Sequence, residues 1–251
     1  IKWVPVSKGP FIMGSDQAKD EDANEWETPR FTCRLIHRDF EISRYPITVS
    51  QYRAFIQDNG YNQEGYWTDE GRQWRIKGDV RKPEVYPGVF QLENHPQVGV
   101  SWYEAVAFCN WLSQKSRDTI TLPTEVQWER SARHTDGRIY PWGDKFESDY
   151  CNSYEAGLNS TSAVGIFPQS DAICGAADMS GNVWEWCLTV YRDNYQNYEK
   201  KVDNDLSSSE LRVLRGGSWY FLRYWARCAS RFRYDPDGRF NFIGFRCVRT
   251  K

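Results

Sequence analysis

Apolar residues along this 251-residue chain recur at helical spacing in three stretches, and each opens with a capping box. In such a box a Ser or Thr is followed three residues later by Glu or Gln. Thr48 and Gln51 open VSQYRAFIQDNG, and Asn59-Gly60 supplies a left-handed stop. Ser101 and Glu104 open WYEAVAFCNWLSQ, where Trp102, Ala105, Val106, Cys109 and Leu112 share one helical face. Thr124 and Gln127 open the shorter EVQWERSAR. Elsewhere the apolar runs are short. FTCRLIHRDFEISRYPI (31–47) alternates enough to predict a strand pair, and VLRGGSW and IGFRCVR predict short core strands. From Arg138 to Ser180, Gly, Asn, Ser, Asp and Pro leave little periodicity. Loops that long are unusual in a compact domain unless function, ions or packing hold them. No repeat interrupts the chain, so the pattern predicts one α+β domain over 1–251, low in regular structure and long in its loops.

Composition agrees with that pattern. Mean hydropathy is −0.74, yet 16% of residues are aromatic, including twelve tryptophans. Polar loops around an aromatic core reconcile the two values, and flexible polar disorder does not. The net charge of −2 offers no field for nucleic acid or an anionic membrane. No window is apolar enough to span a bilayer, and a monomer is expected. The start at Ile1 carries no signal-peptide pattern, which leaves the compartment open. Seven cysteines without a C-x-x-C pair argue against a zinc knuckle or a full disulfide framework. One or two bridges beside buried free thiols are expected. The three histidines, His37, His95 and His134, are isolated, so a histidine-built iron or zinc centre loses support. Serine-hydrolase and nucleotide-binding readings lose theirs with the absence of G-x-S-x-G, P-loop and G-x-G-x-x-G patterns.

One polar constellation stands out. In DMSGNVWEWC, Asp178 and Glu185 bracket a Ser-Gly-Asn turn and an extended run in which Val183 and Glu185 point the same way. Two carboxylates with turn carbonyls are the donor set of a hard cation such as Ca²⁺. An Asp capping its own turn and a Glu paired with an arginine fit the spacing equally well. Trp184 and Trp186 read as core anchors.

Eight segments in order complete the picture: FIMGS, YPITVSQYRAFI, PQVGVSWYEAVAFCNWL, LPTEVQWERSAR, YPWGD, GNVWEWC, LRGGSW and IGFRCV. Together they resemble the formylglycine-generating enzyme (sulfatase-modifying factor) family over nearly the whole chain. The resemblance implies an irregular, Trp-rich fold of the C-type-lectin kind. It implies a structural calcium site in which Asp178 and Glu185 ligate through side chains, and Gly181 and Val183 through carbonyls. It also places Cys109 and Cys247 where some members form a disulfide, and sets Ala132 where the usual partner of Cys228 stands. One departure is decisive. The family oxidises a substrate cysteine with copper held by two cysteines between the Arg-Gly-Gly-Ser turn and the Arg-Cys-Ala segment. Here that interval, Trp219 to Ala226, holds no thiol. Soft Cu(I) needs soft ligands, so no copper is expected. The histidine triad of the iron-dependent sulfoxide synthases sharing this domain is missing as well.

What fills the interval is distinctive. Arg215 to Val248 holds ten aromatics, and seven arginines against two acids, a local charge of 7 − 2 = +5. Arginines are rarely buried without partners, so this stretch reads as a surface built to bind. Trp219, Ile243 and Phe245 read as core. A fixed-looking frame, RGGSW…ARCA…R…PD…R…IGFRCV, holds clusters at Tyr220-Phe221-Leu222, Tyr224, Ser230, Phe232, Tyr234, Gly238 and Phe240-Asn241-Phe242, with Arg223 among them. The layout resembles the variable proteins of diversity-generating retroelements, in which adenines of asparagine codons are rewritten. Every clustered residue is reachable from AAC or AAT by changing adenines, whereas Trp225 is not. The resemblance implies a hypervariable region of about 219–242 that binds an unidentified protein or other macromolecule without catalysis. The alternative is a divergent metal-dependent oxidoreductase in the same cleft. Single-stranded nucleic acid is a minor option, because the chain is acidic overall.

Overall fold

The computed structural model describes residues 1–250. Helix accounts for 26% of the chain and strand for 17%, so loops carry most of it. The three capping boxes start the three expected helices: α1 (Val49–Gln57), α3 (Trp102–Ser116) and α4 (Glu125–Arg133). In each, the cap hydroxyl accepts from the third helical N–H while that residue's side chain accepts from the cap's own N–H. The helix α2 (Asp69–Lys77) was not expected, nor was the single turn α5 (Tyr198–Lys201). α2 begins at Thr68, whose hydroxyl accepts from Gly71, so the glutamate or glutamine that completes a box is absent. α3 is buried on every side from Trp102 to Cys109 rather than along one face.

Three sheets surround these helices. β1 (Trp3–Val6), β4 (Phe40–Ser43), β10 (Val248–Thr250) and β5 (Thr119–Thr121) form one antiparallel sheet in that order. β2 (Phe11–Met13) pairs with β3 (Phe31–Cys33). The third sheet runs β8 (Arg231–Tyr234), β7 (Arg212–Arg215), β6 (Trp184–Val190) and β9 (Ile243–Gly244), with β9 parallel to β6. The strand pair expected within 31–47 is therefore corrected. β3 and β4 belong to different sheets, because each finds its partner in the first 13 residues. No α-helix or strand lies between Arg138 and Ser180 among the described residues, as the composition required.

The third sheet divides two apolar clusters. Trp184, Trp186, Leu214, Ile243 and Phe245 join the aromatic face of α1 and α3. Trp128, Cys187 and Val213 join β1 to β4 on the other side. Both Trp184 and Trp186 are fully buried. Burying an aromatic side chain is worth about 1.5–3 kcal/mol, so these two tryptophans anchor the sheet on which the candidate site rests.

Candidate binding face

Beyond β7 the chain makes a turn only glycine fits. Gly216 and Gly217 hold φ of 98° and 72°, and a Cβ on Gly217 would lie 2.8 Å from the Trp225 carbonyl oxygen. Trp219 follows, buried, its indole N–H donating to the Asn241 carbonyl at 3.1 Å. A short 3₁₀ turn (Arg223–Trp225), edge strand β8 and a loop to β9 complete the segment.

The arginines sort by role. Arg227 is fully buried, and its guanidinium donates to Asp20 at 2.6 Å and to both oxygens of Glu27 at 2.7 Å. Burial alone would lower its pKa, but Glu27 and Asp20 lift it above the ordinary value. Arg231 donates to both oxygens of Glu125 at 2.7 and 3.0 Å and lies over the Tyr195 ring. Arg215 pairs with Glu129 and donates to the carbonyls of Cys228 and Ala229. Arg239 clasps Glu104 above Trp74, and Arg246 clasps Glu185 at 2.6 and 2.8 Å. These are the five frame arginines, and each finds a buried carboxylate far away in sequence. The local +5 is therefore no surface charge. Of the seven arginines between Arg215 and Val248, only Arg223 and Arg233 are exposed without a carboxylate, and Arg233 lies over Tyr191.

The aromatics form one connected layer over buried Trp184. That ring touches Phe221, Trp225 and Phe232 at centroid distances of 5.9, 5.9 and 5.8 Å. Phe232 passes contact to Tyr234, Tyr234 to Phe240 at 4.5 Å, and Phe240 stacks on Phe242 at 5.2 Å. Phe242 stacks in turn on Tyr220, and Tyr224 closes on Trp225. The layer is half-buried, and its tips open to solvent: Tyr220 is 58% and Leu222 42% exposed, with Arg223 beside them. Tyr224, Gly238 and Asn241 are half-buried.

Ser230 departs from expectation. It is fully buried at the foot of β8, so it cannot touch a macromolecule and leaves the candidate set. Trp225 was excluded on codon grounds, yet it sits in the middle of the layer against five other rings. The signal for it was present: an aromatic flanked by clustered aromatics. The 153–157 segment was also missed. The Tyr154 N–H donates to the Phe221 carbonyl at 3.0 Å, and Glu155 accepts from the Arg223 N–H at 2.9 Å, so this loop props the exposed tips from below.

All seven cysteines stand as free thiols in this structure. Cys109 and Cys247, the pair the resemblance would bridge, bring their sulfurs into contact at 3.6 Å in the core. Cys228 shares an apolar cluster with Ala132. Among the described residues no three His, Cys, Asp or Glu side chains group to hold a metal.

The calcium candidates gather around Arg246. Glu185 accepts from the Arg246 guanidinium and, through Oε2, from the Trp128 indole at 2.6 Å. Arg246 also donates to the Asp178 carbonyl at 3.1 Å. The Gly181 carbonyl, expected to be free, accepts from the Val183 N–H at 2.9 Å. The arginine-paired reading of Glu185 thus describes its geometry. Acceptor capacity remains, because Glu185 Oε1 takes a single bond and Asp178 accepts only from the Gly165 N–H at 2.7 Å. Burial pushes the Asp178 carboxyl up to about 6, a cost that an added cation would relieve. Asp178 and Glu185 therefore keep unfilled acceptor positions beside Arg246.

Comparison with known proteins matches this architecture. The sulfatase-modifying factor enzyme 1-like domain matches residues 2–251. Hercynine oxygenase of Mycolicibacterium thermoresistibile is 31% identical over 94% of this chain and 56% of its own length. The mouse formylglycine-generating enzyme is 28% identical over 98% of this chain and 74% of its own. This chain thus spans little more than half of the first relative. Among solved structures, PvdO from Pseudomonas aeruginosa superimposes with a TM-score of 0.76 at 25% identity, covering 99% of this chain and 94% of that one. Treponema denticola variable protein 1 gives 0.71 at 20% identity, covering 99% and 95%, a likeness of fold. With the family match spanning all but the first residue, the chain belongs to the sulfatase-modifying factor family.

Proposed function

We propose that this chain is a non-catalytic member of its family, and that the layer from Tyr220 to Phe242 is the contact face for a macromolecular ligand. One observation carries the reading. Where the family's copper thiols would stand, between Trp219 and Ala226, the chain has packed rings with exposed tips. Aromatic residues provide large rigid contact area at low entropy cost, the usual basis of interface hot spots. The five frame arginines hold the backbone beneath the face through buried ion pairs, so exposed side chains can change without unfolding it. Adenine-directed diversification of those positions is the natural use of such a frame, and the fold likeness to a Treponema variable protein supports it.

Two enzymatic relatives keep the oxidoreductase alternative in view. A competitive Cu(I) titration together with oxygen-consumption assays on a cysteine-containing peptide separates the two. The binding-face reading expects no tight copper site and no aldehyde product. Tight stoichiometric Cu(I) binding with product formation would overturn it. Calcium at Asp178 and Glu185 is part of the proposal as a structural ion.

A further inference from the structure

A cavity of about 370 Å³ lies between residues 17–22 and 139–146, and Arg223 of the aromatic segment lines it too. Its carboxylates are unequally served. Asp144 pairs with Lys19, and Asp20 is held by the buried Arg227. Glu21 and Asp22 have no cation partner, and Glu21 is exposed while Asp22 is half-buried. The aromatic wall is Tyr140 and Phe146, with centroids 5.6 Å apart. Tyr140 is only 3% exposed, yet its hydroxyl makes no hydrogen bond within the chain. That oxygen is not sealed from solvent, so a donor on a ligand can reach it. Unpaired carboxylates, a phenolic oxygen and ring faces are the combination that takes up a cation carrying several N–H donors.

Resting on the binding-face reading, we infer that this cavity receives a basic side chain, lysine or arginine, presented by the same protein ligand that covers the aromatic layer. Arg223 belongs to both surfaces, so one partner can span them. Lysine or arginine would donate to Glu21, Asp22 and the Tyr140 hydroxyl while lying against the Tyr140 and Phe146 rings. A free polyamine presents similar chemistry, but a cavity continuous with a macromolecular face favours a side chain carried by the macromolecule.

The test uses the full chain and three probes: N-acetyl-arginine methylamide, its neutral citrulline counterpart, and spermidine, each titrated by calorimetry or by NMR shifts. The arginine probe should bind, with citrulline weaker by about tenfold or more. The paired substitution Glu21→Gln with Asp22→Asn should abolish that preference, and Tyr140→Phe should weaken arginine binding while leaving the melting temperature within a degree or two of the parent. Leu206→Ala, at an exposed position outside both the cavity and the aromatic layer, should leave it unchanged. Equal binding of citrulline, or full arginine binding by the paired variant, overturns the proposal. Spermidine binding in preference to arginine overturns the assignment to a protein side chain. None of these outcomes depends on copper binding or on sequence variation, so the face reading is judged separately.

Discussion

The frame arginines are the residues on which the segment depends. Each of Arg215, Arg227, Arg231 and Arg246 is fully buried, and a guanidinium there is tolerable only while its carboxylate stands opposite. Glu27→Gln leaves Arg227 with Asp20 alone and should lower unfolding free energy by about 3 kcal/mol in denaturant titration. Arg223→Ala, at an exposed unpaired position, should shift it by no more than about 0.5 kcal/mol. Equal effects would mean that the pairs do not hold the face. His95 offers a pH test of a different kind. Burial lowers its pKa, and Nδ1 lies 3.0 Å from the Thr161 hydroxyl. A histidine depressed in the fold binds more protons when unfolded. Stability should therefore fall as pH drops through the unfolded value of about 6.5, and His95→Gln should flatten that slope. The arginine partners were illegible in the sequence for a plain reason. Arg227 and Glu27 are 200 residues apart, and a one-dimensional charge count sees only neighbours. The frame itself was legible, because the same residues that look fixed in sequence prove to be the paired ones.

At the scale of elements, local signals were read correctly and non-local ones were not. Capping boxes at Thr48, Ser101 and Thr124 act within four residues, so the sequence displays them whole. α2 escaped because Gly71 sits where Glu or Gln would announce it, and β3 with β4 misled because alternation says nothing about which strand will pair. The extended Val-Trp-Glu-Trp run was visible and became the start of β6. What was not visible is that its Trp184 supports the whole ring layer. Trp184→Ala should cost about 3–5 kcal/mol, whereas Tyr220→Ala at the tip of the layer should stay within about 0.5 kcal/mol. Thermal and chemical unfolding of the two variants checks this contrast. A large loss at Tyr220 would make the face part of the core instead of a surface.

For the whole molecule, a loop-rich domain must hold long irregular segments in place without much helix or sheet. Buried ion pairs do part of that work, and calcium at Asp178 is proposed to do another part. Chelation should then lower the melting temperature of the parent, and Asp178→Asn should remove the sensitivity. An unchanged melting temperature on chelation would contradict the ion and leave Arg246 as the sole cation on Glu185. On the proposed reading, the scaffold carries a replaceable binding face where the family resemblance would place two copper-binding thiols. Sequencing this gene across closely related isolates tests that most directly. The account predicts substitutions concentrated at the codons of Tyr220, Phe221, Leu222, Arg223, Tyr224, Phe232, Tyr234, Gly238, Phe240, Asn241 and Phe242, traceable to adenines of a nearby template copy. The codons of Arg215, Arg227, Arg231, Arg239 and Arg246 should stay unchanged. Substitutions scattered evenly along the chain, with no such template, would contradict it.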